Sequence, residues 1–186
     1  IQAARMQVYF IDNDDYFQRK FTIEDENGIE FEDNDERSIF YVRGVMETVK
    51  KLRWVPDIIH CHGWMTALAP LYIKRVYAED PSFRNSKIVY SVYDNDYKVP
   101  FKAGFANEIK LSDLKFKPED SVNCTTLSKL AIDYSDGIIQ ASQTINPDIQ
   151  TYAQSAGIPF LPYQNSETYI DAYNDFYDVV WENANK

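Results

Sequence analysis

Short, wholly apolar runs alternate along the chain with longer stretches in which apolar residues recur every three or four positions. Ile39, Val42, Val45, Met46, Val49 and Leu52 carry the first such stretch. Their spacing predicts an amphipathic helix over residues 35–53, with Lys50, Lys51 and Arg53 in its last turn complementing the helix dipole. Residues 57–61 read as a buried strand, 64–78 as a helix with Pro70 in its first two turns, and 87–92 as a second buried strand. Asp80-Pro81 ends that helix, because the residue before a proline is driven out of helical conformation. There follow a helix over 121–134, a strand over 137–141, and a helix opened by Asn146-Pro147-Asp148 and stopped by Gly157. A short strand at 159–161 and an amphipathic helix over 166–181 complete the series. Upstream, residues 6–11 read as an apolar strand, 12–15 as an acidic loop and 24–28 as a turn. Residues 94–118 show neither period; loops of that length are functional or disordered rather than mere connections.

Apolar strands without polar alternation belong to parallel sheets covered on both faces. The expected fold class is therefore α/β, a doubly wound, mostly parallel sheet. A length of 186 residues without repeat or linker fits a single Rossmann-like domain over 1–186. The chain opens on Ile1 and enters its first apolar run almost at once, so an N-terminal truncation is expected.

Charge removes several classes of partner. A net charge of −10 excludes nucleic acid and anionic membrane surfaces, which need clustered Lys and Arg. No apolar run is long enough to span a membrane. Two cysteines, Cys61 and Cys124, make neither a disulfide framework nor a metal knuckle, and fit a reducing cytoplasm. The glycosylation pattern Asn123-Cys124-Thr125 is then incidental.

The chemistry concentrates where strands end. The only two histidines, His60 and His62, stand where the chain leaves the carboxyl end of a buried strand, the place where open α/β sheets bind ligands. Residues i and i+2 of a strand share a face, so the two rings converge on one ligand or else brace the start of the next helix. A zinc site would want further ligands and no other histidine exists, so no metal is expected. Asp33 is either a helix N-cap, with Glu36 in capping-box position, or a carboxylate aimed into the cleft of His62. Tyr93-Asp94-Asn95-Asp96 also follows a strand and is placed for ligand contact or is an ordinary acidic loop. No glycine-rich phosphate loop occurs.

Several of these strings, in this order, resemble bacterial glycogen synthases and plant starch synthases. Phe31-Glu-Asp-Asn-Asp-Glu-Arg37 is similar to that family's aromatic-x-Asp-Asn-x-x-Arg-Phe run. Pro56-Asp-Ile-Ile-His-Cys-His-Gly-Trp-Met-Thr-Ala67 is similar to its His-Ala-His-Asp-Trp-His-Thr-Ala motif. Ile88-Val-Tyr-Ser-Val-Tyr-Asp94 and the segment from Lys129 to Ser142 resemble two further family segments, and the likeness covers most of residues 6–156. The resemblance implies the N-terminal, acceptor-side domain of a two-domain glycosyltransferase-B fold, needing no cofactor. The intact family enzyme moves glucose from ADP-glucose to the non-reducing end of an α-1,4-glucan. By resemblance, His62 and Asp33 are the catalytic candidates, and His60, Trp64, Arg37, Asn34 and Tyr93 the substrate-binding ones.

The departures concern polar groups. Gly63 and Met65 stand where the family has Asp and His, and Tyr93 and Asp94 where it has His and Asn. Residues 1–186 contain neither the family's nucleotide-binding half nor its donor motif. Alone, the chain is expected to bind an α-glucan acceptor but to be catalytically silent. ADP-glucose would bind only with a C-terminal nucleotide-binding domain, from further residues, a partner chain or a homo-oligomer. The competing expectation is a non-catalytic glucan-binding or regulatory module that kept the fold and lost the chemistry; a zinc-dependent hydrolase is a distant third.

Overall fold

A computed structural model describes residues 2–3, 6–94, 97–109, 111, 117 and 120–183. Four parallel strands form the central sheet: β3 (Ile58–His62), β4 (Lys87–Val92), β5 (Gly137–Gln140) and β6 (Phe160–Leu161), neighbours in that order. Register pairs His60 with Val89, His62 with Ser91 and Val89 with Gly137, so the carboxyl ends of the strands lie side by side. The connections carry α3 (Ala69–Arg75), α4 (Phe105–Ile109), α5 (Cys124–Asp133) and α6 (Pro147–Ser155). Ahead of the sheet stand α1 (Asp14–Phe17) and α2 (Asn34–Lys51); behind it stands α7 (Tyr169–Asn183).

Alternation along β3 sets the two layers. Ile59 and Cys61 face a core shared with Val42 and Met46 of α2, Leu71 and Ile73 of α3, Leu127 and Leu130 of α5 and Ile149 of α6. Ile58 faces the other way and joins Val89, Ile139, Phe176 and Val180 under α7. Helices thus cover both sheet faces, as the doubly wound expectation requires. Gly137 sets how close α7 comes, since a Cβ on it would lie 2.4 Å from Cγ2 of Val180.

Caps follow the sequence at several termini. Asn146 accepts from the amide of Asp148 ahead of Pro147, and Asn123, the asparagine of the glycosylation pattern, accepts from that of Thr126 as an N-cap. Asp25 accepts from the amides of Asn27 and Ile29 to close the turn at Gly28.

Four expectations need correction. Residues 6–11 do not join the central sheet: the strand is limited to β2 (Met6–Gln7), in an antiparallel pair with β1 (Gln2–Ala3). Strand propensity expresses burial on a pleated surface, and Phe10 is 73% exposed. The predicted acidic loop contains α1, capped by Asn13, whose side chain accepts from the amide of Tyr16. The predicted helix over 64–78 is a 3-10 turn, Trp64–Thr66, followed by α3, which ends at Arg75. Finally, the described part of the 94–118 segment is packed: Tyr97 and Phe101 are buried and stacked 4.4 Å apart, and α4 buries Phe105 and Ile109. Residues 95, 96, 110, 112–116 and 118 of that segment lie outside the described residues, as does the expectation for Asn95 and Asp96.

Candidate functional site

Two side-chain clusters contain the sequence candidates. The first stands at the carboxyl ends of β3 and β4. His60 and His62 project from the same face of β3 with rings 3.9 Å apart. Both nitrogens of His60 are engaged, Nδ1 with the Tyr177 hydroxyl of α7 and Nε2 with Oγ of buried Ser91, each at 2.7 Å. Burial, with a smaller contribution from His62, lowers its pKa to about 3, so the ring is neutral near pH 7. His60 is therefore a brace between sheet and α7, and its hydrogen bonds leave no nitrogen for a ligand.

His62 differs by position alone. It is the last residue of β3 and is exposed; its Nδ1 pairs with the Tyr93 hydroxyl at 2.8 Å, and Nε2 has no partner among the described residues. The protein packed around part of the ring lowers its pKa from the ordinary value, and exposure to solvent limits the effect. In the tautomer in which Nδ1 accepts from the phenol, Nε2 carries the proton and is a donor; in the other tautomer Nε2 is an acceptor. Tyr93 is half-buried, and burial raises its pKa, so it remains a phenol.

The turn after β3 explains one departure from the family pattern. Gly63 has φ 67° and ψ −171°, a conformation essentially reserved for glycine. Its amide donates to the carbonyl of Ser91, which folds the chain sharply into the 3-10 turn. Trp64 is 3% exposed and packs edge-on against Tyr97 and Phe101. It offers no open face and anchors the following segment instead.

The second cluster lies at the start of α2. Asp33 precedes the helix but makes no side-chain cap; its carboxylate pairs with Arg19, Oδ1 at 2.6 Å and Oδ2 at 2.5 Å. That bidentate pairing holds the carboxyl below its usual range, and so does the more distant charge of Arg37. The capping-box expectation fails here because Glu36 is drawn to the Tyr16 hydroxyl. Asn34 and Arg37 are buried: Arg37 donates to the carbonyls of Tyr16 and Thr22 and to Oδ1 of Asn34, whose amide donates to the carbonyl of Ile23. Both tie the preceding segment to α2. Arg19, Ser91 and Tyr177 are the site partners that sequence reasoning missed. Each lies far along the chain from the residue it holds, and no local pattern marks it.

The hydrogen bonds join Asp33, Asn34 and Arg37 to one another's surroundings, and His60, His62 and Tyr93 to theirs, as two separate groups. A cavity of about 530 Å³ lined by Tyr16, Phe40, Arg43 and Glu108 lies along α2, away from the histidines. Among the described residues no three His, Cys, Asp or Glu side chains are grouped to hold a metal.

Parallel strands covered by helices on both faces, with chemistry gathered at their carboxyl ends, define a Rossmann-like α/β protein. Comparison with known proteins gives the family. The family model described as starch synthase catalytic domain matches residues 1–159. Glycogen synthase of Chlorobium limicola is 36% identical over 156 residues, 75% of this chain and 31% of its own length. Glycogen synthase 2 of Geobacter sulfurreducens is 31% identical over 153 residues, 81% of this chain and 31% of its own. The catalytic domain of starch synthase IV from Arabidopsis thaliana, bound to ADP and acarbose, shares the fold with a TM-score of 0.59 at 18% identity, over 81% of this chain and 32% of that one. The chain belongs to the glycogen/starch synthase family, glycosyltransferase family 5. It spans 31% of the length of the Chlorobium and Geobacter relatives. No described helix is long and apolar enough to cross a membrane.

Proposed function

We propose that residues 1–186 are the acceptor-side domain of a glucosyltransferase that extends α-1,4-glucans from ADP-glucose. The acceptor's terminal 4-hydroxyl attacks the anomeric carbon of the donor glucose; the bond to the diphosphate breaks and ADP leaves. His62 donates through Nε2 to the glucose being transferred, with Tyr93 fixing its tautomer and His60 its ring plane. By the family resemblance Asp33, held ionised by Arg19, serves near the reaction centre; Asn34 and Arg37 fix the backbone at the start of α2, and Trp64 anchors the turn after His62. The nucleotide-binding half comes from residues beyond this chain or from a partner. Buried Cys61 and Cys124, with no disulfide between them, suit a cytoplasmic setting.

The observation that carries this reading is the open Nε2 of His62 at the carboxyl edge of the sheet, its ring anchored from behind by Tyr93. Titration calorimetry with maltoheptaose, comparing wild type with His62→Ala, tests it. Binding that falls at least tenfold in the variant is expected; equal affinity in both would remove His62 from the site. A second reading, a glucan-binding module without catalysis, draws on Gly63 and Met65, which stand where the family has side chains able to hydrogen-bond sugar. Radiolabelled glucose incorporation into glycogen, with the nucleotide-binding half supplied, separates the two readings.

A further inference from the structure

Beyond residue 159, outside the family match, the chain adds β6 and α7 and lays α7 across the histidine-bearing face of the sheet. The contacts there are aromatic and continuous. Tyr169 meets Tyr173 edge-on at 5.7 Å, Tyr173 meets His60 at 5.8 Å, His60 stacks on His62 at 3.9 Å, and His62 meets Tyr93 at 6.0 Å. Tyr177 flanks this ribbon, 5.6 Å from His60. The hydroxyl of Tyr173 lies within electrostatic reach of those of Tyr93, Tyr163, Tyr169 and Tyr177. Phenols from α7, from the segment leading into it and from the end of β4 therefore collect around the His60–His62 pair.

Core packing accounts for only part of this cluster. Phe176 and Val180 point into the sheet and are buried, whereas Tyr173 and Tyr177 are half-buried, and Tyr163 and Tyr169 are 40% and 42% exposed. The hydroxyls of Tyr163, Tyr169 and Tyr173 have no partner among the described residues. A phenol that presents both a ring face and an unused hydroxyl offers apolar contact and hydrogen bonding at low conformational cost.

Charge selects the ligand class. Along α7 stand Asp171, Asp175, Asp178 and Glu182, with no Lys or Arg. A phosphate-bearing ligand would be repelled there, whereas an uncharged polyhydroxylated chain would not. We propose that Tyr163, Tyr169 and Tyr173 form a platform that carries the sugar units of an α-glucan leading away from His62. This rests on the acceptor-domain reading above and adds to it a chain-length preference built by residues outside the family match.

Affinities for maltotriose and maltoheptaose, measured calorimetrically, test the platform. The wild type should prefer the longer sugar by about tenfold, the size expected from two stacking contacts of about 0.7 kcal/mol each. Tyr163→Ala with Tyr169→Ala should erase that preference and leave maltotriose binding unchanged; Tyr169→Phe, which keeps the ring, should retain most of it. Both residues are exposed, so unfolding curves should not move. A preference intact in the double alanine variant overturns the platform while leaving the acceptor reading standing. Erasure of the preference, with His62→Ala harmless to both sugars, keeps the platform and removes His62 from the site. Absence of binding by wild type overturns both.

Discussion

His60 and His62 carry the same functional group two residues apart, and the strand separates their roles. The second is the last residue of β3 and meets solvent; the first lies under α7 with both nitrogens engaged. The chemical consequence is a depressed pKa at His60, to about 3, caused by burial and then by His62. The unfolded chain binds a proton near pH 6.5 and the folded one does not until near 3, so within that window stability falls as pH falls. From pH 6.5 to 5, His60 alone should remove about 1.5 kcal/mol of unfolding free energy, the slope rising from half of its limit at pH 6.5 toward about 1.4 kcal/mol per pH unit. Urea titrations across that range should show this slope in wild type and largely lose it in His60→Gln. The downward shift at His62 acts with the same sign, so some slope remains in the variant. A slope identical in the two proteins would mean that His60 is protonated, or already exposed, in the native state.

Element by element, the chain announces what local patterns govern. Residues 87–92 were legible one for one as β4, because a fully buried strand is a continuous apolar run. The strand carrying the histidines was legible to within one residue, and the shift from 57–61 to Ile58–His62 is what brings His62 into the strand. The likeness to the synthase family was legible in the ordered motifs. What remained hidden depends on distant pairing. Arg19 reaches Asp33, and the carboxylate of Glu30 accepts from the amides of Lys98 and Val99 at 2.6 and 2.8 Å, which pins a segment that looked like an unstructured loop. The approach of α7 is of the same kind, because nothing near Gly137 in sequence announces Val180. It gives a sharp test. Gly137→Ala puts a methyl 2.4 Å from Val180 Cγ2 and should destabilise the protein by about 1–3 kcal/mol in chemical denaturation. Adding Val180→Ala to Gly137→Ala should make the cost of the two changes less than additive, because the second relieves the clash. Strict additivity would show that α7 does not rest on β5 in solution.

Across the whole molecule, charge decides which class of ligand suits the chain. The net charge is −10, and several cations are spoken for: Arg19 with Asp33, Lys50 with Asp80, Lys74 with Asp136, and Arg37 buried on backbone carbonyls. A diphosphate needs cations or aligned amides at its site. Among the described residues no cation pairs with His62, whose contacts are the Tyr93 phenol and a second, neutral imidazole. A neutral glucan needs only apolar faces and hydrogen-bonding groups, which that edge supplies. Two dependences should therefore separate in binding experiments. Maltoheptaose affinity should stay constant between about 0.05 and 0.5 M salt, since no charge is neutralised on binding. ADP-glucose should show no saturable binding up to about 1 mM, weaker than about −4 kcal/mol, until the nucleotide-binding half is supplied. Salt-sensitive ADP-glucose binding by residues 1–186 alone would require a cationic phosphate site on this domain. It would then be a donor site in its own right, and the division of labour argued from charge would fall.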